Sequence, residues 1–95
     1  MTLSGRHLRY ALVLALLSSG TLTTRELVAH LEGRDYRVAG RPSKTVADAL
    51  RWEVRRGRVV RDGRNRYRAG HVAKSTRSYM RARLHASSAE LSLQH

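Results

Sequence analysis

The sequence predicts one α+β domain, mainly α with a small β-hairpin: a three-helix core, then the hairpin, then an appended C-terminal helix. Three observations predict it. Apolar residues recur at helical spacing in three stretches before Gly57. The period changes at Arg58, where Val59 and Val60 lead to the turn pair Asp62-Gly63 and then Tyr67. A helical pattern returns from Val72 to Leu84.

Arg6 to Ser19 reads as the first helix, because Leu8, Leu12, Ala15 and Leu16 repeat at helical spacing, Ser4 or Gly5 can cap it and Gly20 stops it. Val13, Leu14 and Leu17 make it apolar on more than one face, so a single packed layer cannot cover it. The apolar run Tyr10 to Leu17 behind Arg6, His7 and Arg9 also has the outline of a secretory signal. The run is short for one, lacks a small-x-small step with alanine, and is far too short to span a bilayer. The same residues satisfy a buried helix, so the chain is expected to keep Met1 or Thr2 and this segment.

Thr21 to Thr23 suffice for one short strand. Thr23 or Thr24 then caps a second helix running through Glu26 to about Glu32, and Thr23 with Glu26 forms a capping box. Leu27, Val28 and Leu31 give that helix its inner face, and Gly33 ends it. Arg34 to Pro42, polar and holding Gly40, reads as a loop. Ser43 stands at a cap position after proline, and Val46, Leu50 and Val54 follow at i, i+4 and i+8, giving a third helix over residues 43–57. The hairpin occupies 58–69. Residues 1–70 thus make the domain and 71–84 an amphipathic helix, with Val72, Thr76, Tyr79, Met80 and Leu84 on one side and Arg77 and Arg81 on the other. Residues 85–95 are expected to be a flexible tail.

Charge indicates the partner. The 19 Lys+Arg against 7 Asp+Glu give +12 at pH 7, far beyond what solubility requires, which points to a polyanion. Residues 1–40 carry net +2 and residues 41–84 net +11, so the second half holds the field. All the cations but Lys44 and Lys74 are arginine, which suits bidentate contacts to phosphate and guanine, although arginine-favouring codons would give the same bias in residue type.

The order helix, short strand, helix, loop, helix, hairpin, together with the segment TVADALRWEVRRGRVVRDGRNRYR from Thr45 to Arg68, resembles winged helix-turn-helix proteins of the bacterial regulator type. The segment looks like their recognition helix, glycine stop, hairpin and closing tyrosine. A fainter likeness is to the winged-helix domains of autoregulating antitoxins, at the level of fold only. The chain departs from the pattern in its long loop before the third helix, in Glu53 on the inner half of that helix and in Trp52 on the outer half. The resemblance implies a third helix in the major groove of duplex DNA and a wing, residues 58–69, on phosphates or the minor groove.

On a helical wheel with Val46 at the origin, Leu50, Val54 and Ala47 fall within about 100° and mark the buried side. Arg51, Lys44, Arg55, Asp48 and Trp52 fall between about 140° and 240° and face outward. Arg51 and Arg55 are candidates for guanine edges, since a guanidinium bridges O6 and N7. Ser43 and Lys44 at the helix start are expected to position phosphates, and Arg41 and Thr45 beside them to contact the DNA. Asp48 either accepts from a cytosine amine or, preferably, orients Arg51 or Arg55. Arg58, Arg61, Arg64, Arg66 and Arg68 supply the wing contacts. Trp52 stacks on the fourth helix or a partner chain, covers the base of the wing, or reads bases. Glu53 pairs with a nearby arginine at the core edge.

No catalytic constellation stands out. His7, His30, His71, His85 and His95 lack metal-ligand spacing, there is no cysteine, and Pro42 sits where a phosphate loop would need glycine. Neither enzyme activity, nor a cofactor, a metal, a membrane or a small-molecule ligand is expected. The expected protein is a non-enzymatic regulator or nucleoid-associated protein of the cytoplasm, a homodimer through the first and fourth helices unless the fourth folds back on the first. An RNA-binding module and a protein-interaction adaptor are the alternatives.

Overall fold

The computed structural model describes residues 1–93, with side chains as far as Ala86. The order is β1 (Thr2–Leu3), α1 (Gly5–Ser19), β2 (Leu22–Thr23), α2 (Thr24–Glu32), β3 (Arg37–Val38), α3 (Pro42–Arg55), β4 (Val59–Arg61), β5 (Arg66–Ala69) and α4 (Lys74–Leu93). The described residues thus form an α+β domain of four helices with a small antiparallel sheet, in the strand order β2-β5-β4, and a separate two-stranded parallel pair, β1-β3.

The core lies between the helices and the inner face of the larger sheet. Leu8, Leu12, Val13 and Leu16 of α1 meet Leu27 and Leu31 of α2, Val46 and Leu50 of α3, Val59 of β4 and Tyr67 of β5. Each such side chain contributes roughly 1.5–3 kcal/mol by leaving water. The hairpin register sets Val59 opposite Ala69 and Arg61 opposite Tyr67. Because side chains alternate along a strand, Tyr67 turns inward while Arg66 and Arg68 turn out.

Several boundaries differ from the sequence reading. The stretch read wholly as a loop contains β3, whose Arg37 and Val38 pair in parallel with Thr2 and Leu3. Ser43 is not the cap of α3: Arg41 holds that position, Pro42 takes the first helical place, and no side chain caps the helix. Proline suits that place because its missing N–H would have no partner there.

The buried arc of α3 comprises Val46, Leu50 and Glu53, whereas Val54, expected inside, is 37% exposed. α4 begins at Lys74 rather than Val72 and continues to Leu93, so most of the expected tail is helical. Residues 94–95 of that tail lie outside the described residues. Met80 and Leu84 are buried and α4 packs on α1 within the same chain, the second of the two arrangements the sequence left open. Arg77, read as outward, is half-buried, while Tyr79 is 52% exposed and meets Tyr10 edge to face at 6.1 Å.

Candidate nucleic-acid interface

Two helix starts and the hairpin tip meet at one place. Thr23, Thr24 and Arg25 of the α2 start, Ser43, Lys44 and Ala47 of α3, and Arg64 and Asn65 of the hairpin tip line an open cleft of about 650 Å³. Local geometry holds them there. Asn65 adopts a left-handed conformation (φ 58), which asparagine tolerates better than most residues. The carbonyl of Asn65 accepts a hydrogen bond from Thr24 N at 3.2 Å, tying the tip to α2. Asp62 N donates to the Arg66 carbonyl at 2.8 Å and closes the turn.

The start of α2 is fixed by the expected capping box. Glu26 N donates to Thr23 Oγ1 at 3.1 Å, and Thr23 N donates to Glu26 Oε1 at 2.9 Å. The hydrogen bond from the Thr23 backbone, helped by the Thr23 side chain and the charge of Arg66, holds the Glu26 carboxyl below the usual carboxylate range.

The cleft is electropositive by construction. Arg25, Lys44 and Arg64 are exposed cations, and its described lining contains no carboxylate. The first turns of α2 and α3 both reach it, and α3 has no side-chain cap to accept from its leading N–H groups. Those groups and the positive end of the helix dipole favour an anion.

From Lys44 a polar stripe runs along the outer face of α3. Lys44 Nζ lies 3.8 Å from Asp48 Oδ2, and Arg51 Nη2 lies 3.5 Å from Asp48 Oδ1. All three side chains are exposed, so each pair contributes about 0.3–0.5 kcal/mol and serves chiefly to orient. Of the two arginines that Asp48 was expected to orient, Arg51 is the one that it meets. Arg55 is exposed in the last turn of α3 and is not among Asp48's partners in the described residues. Arg41 is exposed just before α3, Arg61 at the end of β4, and Arg66 and Arg68 on the outer face of β5.

Two expected site residues are committed to protein instead. Thr45 Oγ1 donates to the Ala39 carbonyl at 2.9 Å, holding the β3–α3 connection. Arg58 donates from Nε to Glu53 Oε2 at 2.8 Å and from Nη2 to Glu53 Oε1 at 2.7 Å, with its side chain only 21% exposed. A guanidinium held by both ends of a carboxylate has little left for phosphate. Arg25, which the sequence reading did not single out, also lines the cleft, two residues after the capping Thr23. Trp52, 41% exposed, makes two cation–π contacts: the guanidinium carbons of Arg9 and Arg56 lie 5.0 and 5.1 Å from its ring centroid.

Among the described residues no group of three or more His, Cys, Asp or Glu side chains could hold a metal ion, and no helix is long and apolar enough to cross a membrane. No protein-family model, curated protein or solved structure matches the chain. The chemistry on offer at the cleft is anion binding by guanidinium, ammonium and backbone N–H groups.

Proposed function

We propose that this protein is a non-enzymatic duplex-DNA-binding protein of winged helix-turn-helix type, acting at the nucleoid as a transcriptional regulator or an architectural protein. In this reading α3 enters the major groove and the β4–β5 hairpin reaches phosphates or the minor groove. The strand order β2-β5-β4, with three helices ahead of the hairpin, supports the winged-helix part. One observation carries the functional part: Arg25, Lys44 and Arg64 share a cleft without a described carboxylate, and Lys44 also begins the stripe that leads to Arg51. A single rigid anion with repeated phosphates can engage the helix starts, the stripe and the hairpin tip together.

Anisotropy of a labelled DNA duplex, with unlabelled duplex DNA and duplex RNA as competitors, tests this reading. Duplex DNA should compete better, and binding should fall about a thousandfold between 50 and 200 mM salt if six phosphates are contacted. Stronger competition by RNA would favour an RNA-binding module. Affinity that survives salt unchanged would favour a protein adaptor.

A homodimer would place two α3 helices in successive major grooves. Because α4 already covers α1 within the chain, a second copy meeting these helices has to use their outward edge, where Tyr10 and Tyr79 stand. Sedimentation at micromolar concentration separates dimer from monomer.

A further inference from the structure

A second cleft, sharing no lining residue with the first, opens between α1, the end of α2 and α4, with a volume of about 430 Å³. Its floor is apolar. Ala15 of α1, Leu31 of α2 and Leu84 of α4 are buried there, and Leu14 of α1 is half-buried beside them. Its polar wall is basic: Arg34 follows α2, Arg81 and His85 lie one turn apart on α4, and His30 sits in the last turn of α2. Neither the Arg34 nor the Arg81 guanidinium forms an ion pair with a described residue, and the described lining contains no carboxylate.

This combination is specific in what it can hold. A concave apolar surface with a few convergent polar groups, in the size range of small-molecule pockets, is the usual form of a ligand site. The guanidiniums call for a carboxylate, which they can meet with paired hydrogen bonds. The leucine floor offers nothing to a phosphate chain, so the anion must carry an apolar body. We propose that this cleft binds a small monocarboxylate with an aliphatic body, the carboxylate held by Arg34 and Arg81 and the body lying on Leu14, Leu31 and Leu84. His30 and His85 supply further N–H donors at the rim. Such a ligand would bridge three helices and brace α4 against the rest of the domain.

The test needs no DNA, so its failure is separate from any failure of the DNA reading. The full chain is titrated with octanoate, hexanoate and butyrate at fixed ionic strength, followed by calorimetry and by amide shifts of the labelled protein. One saturable site is expected, with affinity rising up to about fourfold per methylene as chain length increases. The double variant Arg34→Gln with Arg81→Gln, both at exposed positions, should weaken octanoate at least tenfold. The double variant Arg6→Gln with Arg37→Gln removes the same charge from exposed positions outside the cleft and should leave octanoate binding unchanged. Octanol, lacking the charge, should bind more weakly than octanoate. Equal losses in the two double variants, an affinity indifferent to chain length, or no saturation would each overturn the proposal.

Discussion

Arg58 holds the buried carboxylate of Glu53 with two hydrogen bonds, Nε to Oε2 at 2.8 Å and Nη2 to Oε1 at 2.7 Å, and so fastens the first strand of the hairpin to the last turns of α3. The backbone repeats the link, because Arg58 N donates to the Glu53 carbonyl at 3.1 Å. Gly57 permits the reversal between them with φ 76, a conformation that costs a side-chain-bearing residue. Gly70 admits the other strand: a Cβ there would collide with the backbone oxygen of Gly57. The orientation of the hairpin against α3 thus rests on one buried ion pair and two glycines.

Arg58→Ala should destabilise the domain by about 3–5 kcal/mol, because among the described residues it leaves the fully buried carboxylate only Arg9, 3.9 Å away, as an ion-pair partner. Replacing Glu53 and Arg58 together by methionine should cost less than Arg58→Ala, since no buried charge is then stranded. Urea unfolding of the variants checks both. Where Arg58→Ala remains folded, the salt dependence of its DNA binding should match that of the parent, because Arg58 is spent within the protein.

The hairpin tip is different. Arg64→Ala with Arg66→Ala should weaken binding to every duplex and make the slope of log affinity against log salt shallower by about two units. A salt titration of the double variant measures this directly, and an unchanged slope would mean that the tip is off the DNA.

Arg25→Ala and Lys44→Ala should each reduce that slope by about one unit irrespective of DNA sequence, since both residues face the cleft at helix starts. Arg51→Ala should behave otherwise, costing about 1–3 kcal/mol on a preferred site and less on random duplex. Measuring all three on specific and random DNA separates positioning from readout.

The capping box carries a pH dependence. Folding lowers the Glu26 pKa, so the folded chain holds this proton less tightly than the unfolded chain. The stabilisation is therefore complete above the ordinary value of 4.5 and is lost as pH falls below it through the lowered folded value. Thr23→Ala should cost about 1 kcal/mol at neutral pH and flatten the change in stability between neutral and acid conditions. Thermal unfolding of parent and variant over that range tests it.

Local patterns made most of this fold legible. The capping box at Thr23, the helical spacing in α1 and α3, and Asp62-Gly63 each act within a few residues, and each produced the element expected. What escaped depends on distant pairing. β3 exists because Arg37 and Val38 find Thr2 and Leu3, which no local signal announces. Glu53 lies about 20° from Val46 on the α3 wheel, nearer the centre of the buried arc than Val54, yet its charge argued for the edge. Its arginine partner was expected, but not that the partner would be Arg58, because that choice depends on the turn at Gly57. Of the proposed interface, Lys44 and Arg64 line the cleft and Arg51 lies on the stripe beside it, whereas the bonds that Thr45 and Arg58 make within the fold were not legible, because composition shows charge and polarity but not which groups the fold itself uses.

The most direct measurement is a titration of the labelled protein with a short DNA duplex, followed by amide and arginine side-chain shifts. Arg25, Lys44, Arg51, Arg64 and Asn65 should move together and saturate at one stoichiometry, with Arg34 and Arg81 left in place. Shifts gathered on α1 and α4, or on the hairpin with α3 unmoved, would contradict a shared cationic surface for the duplex.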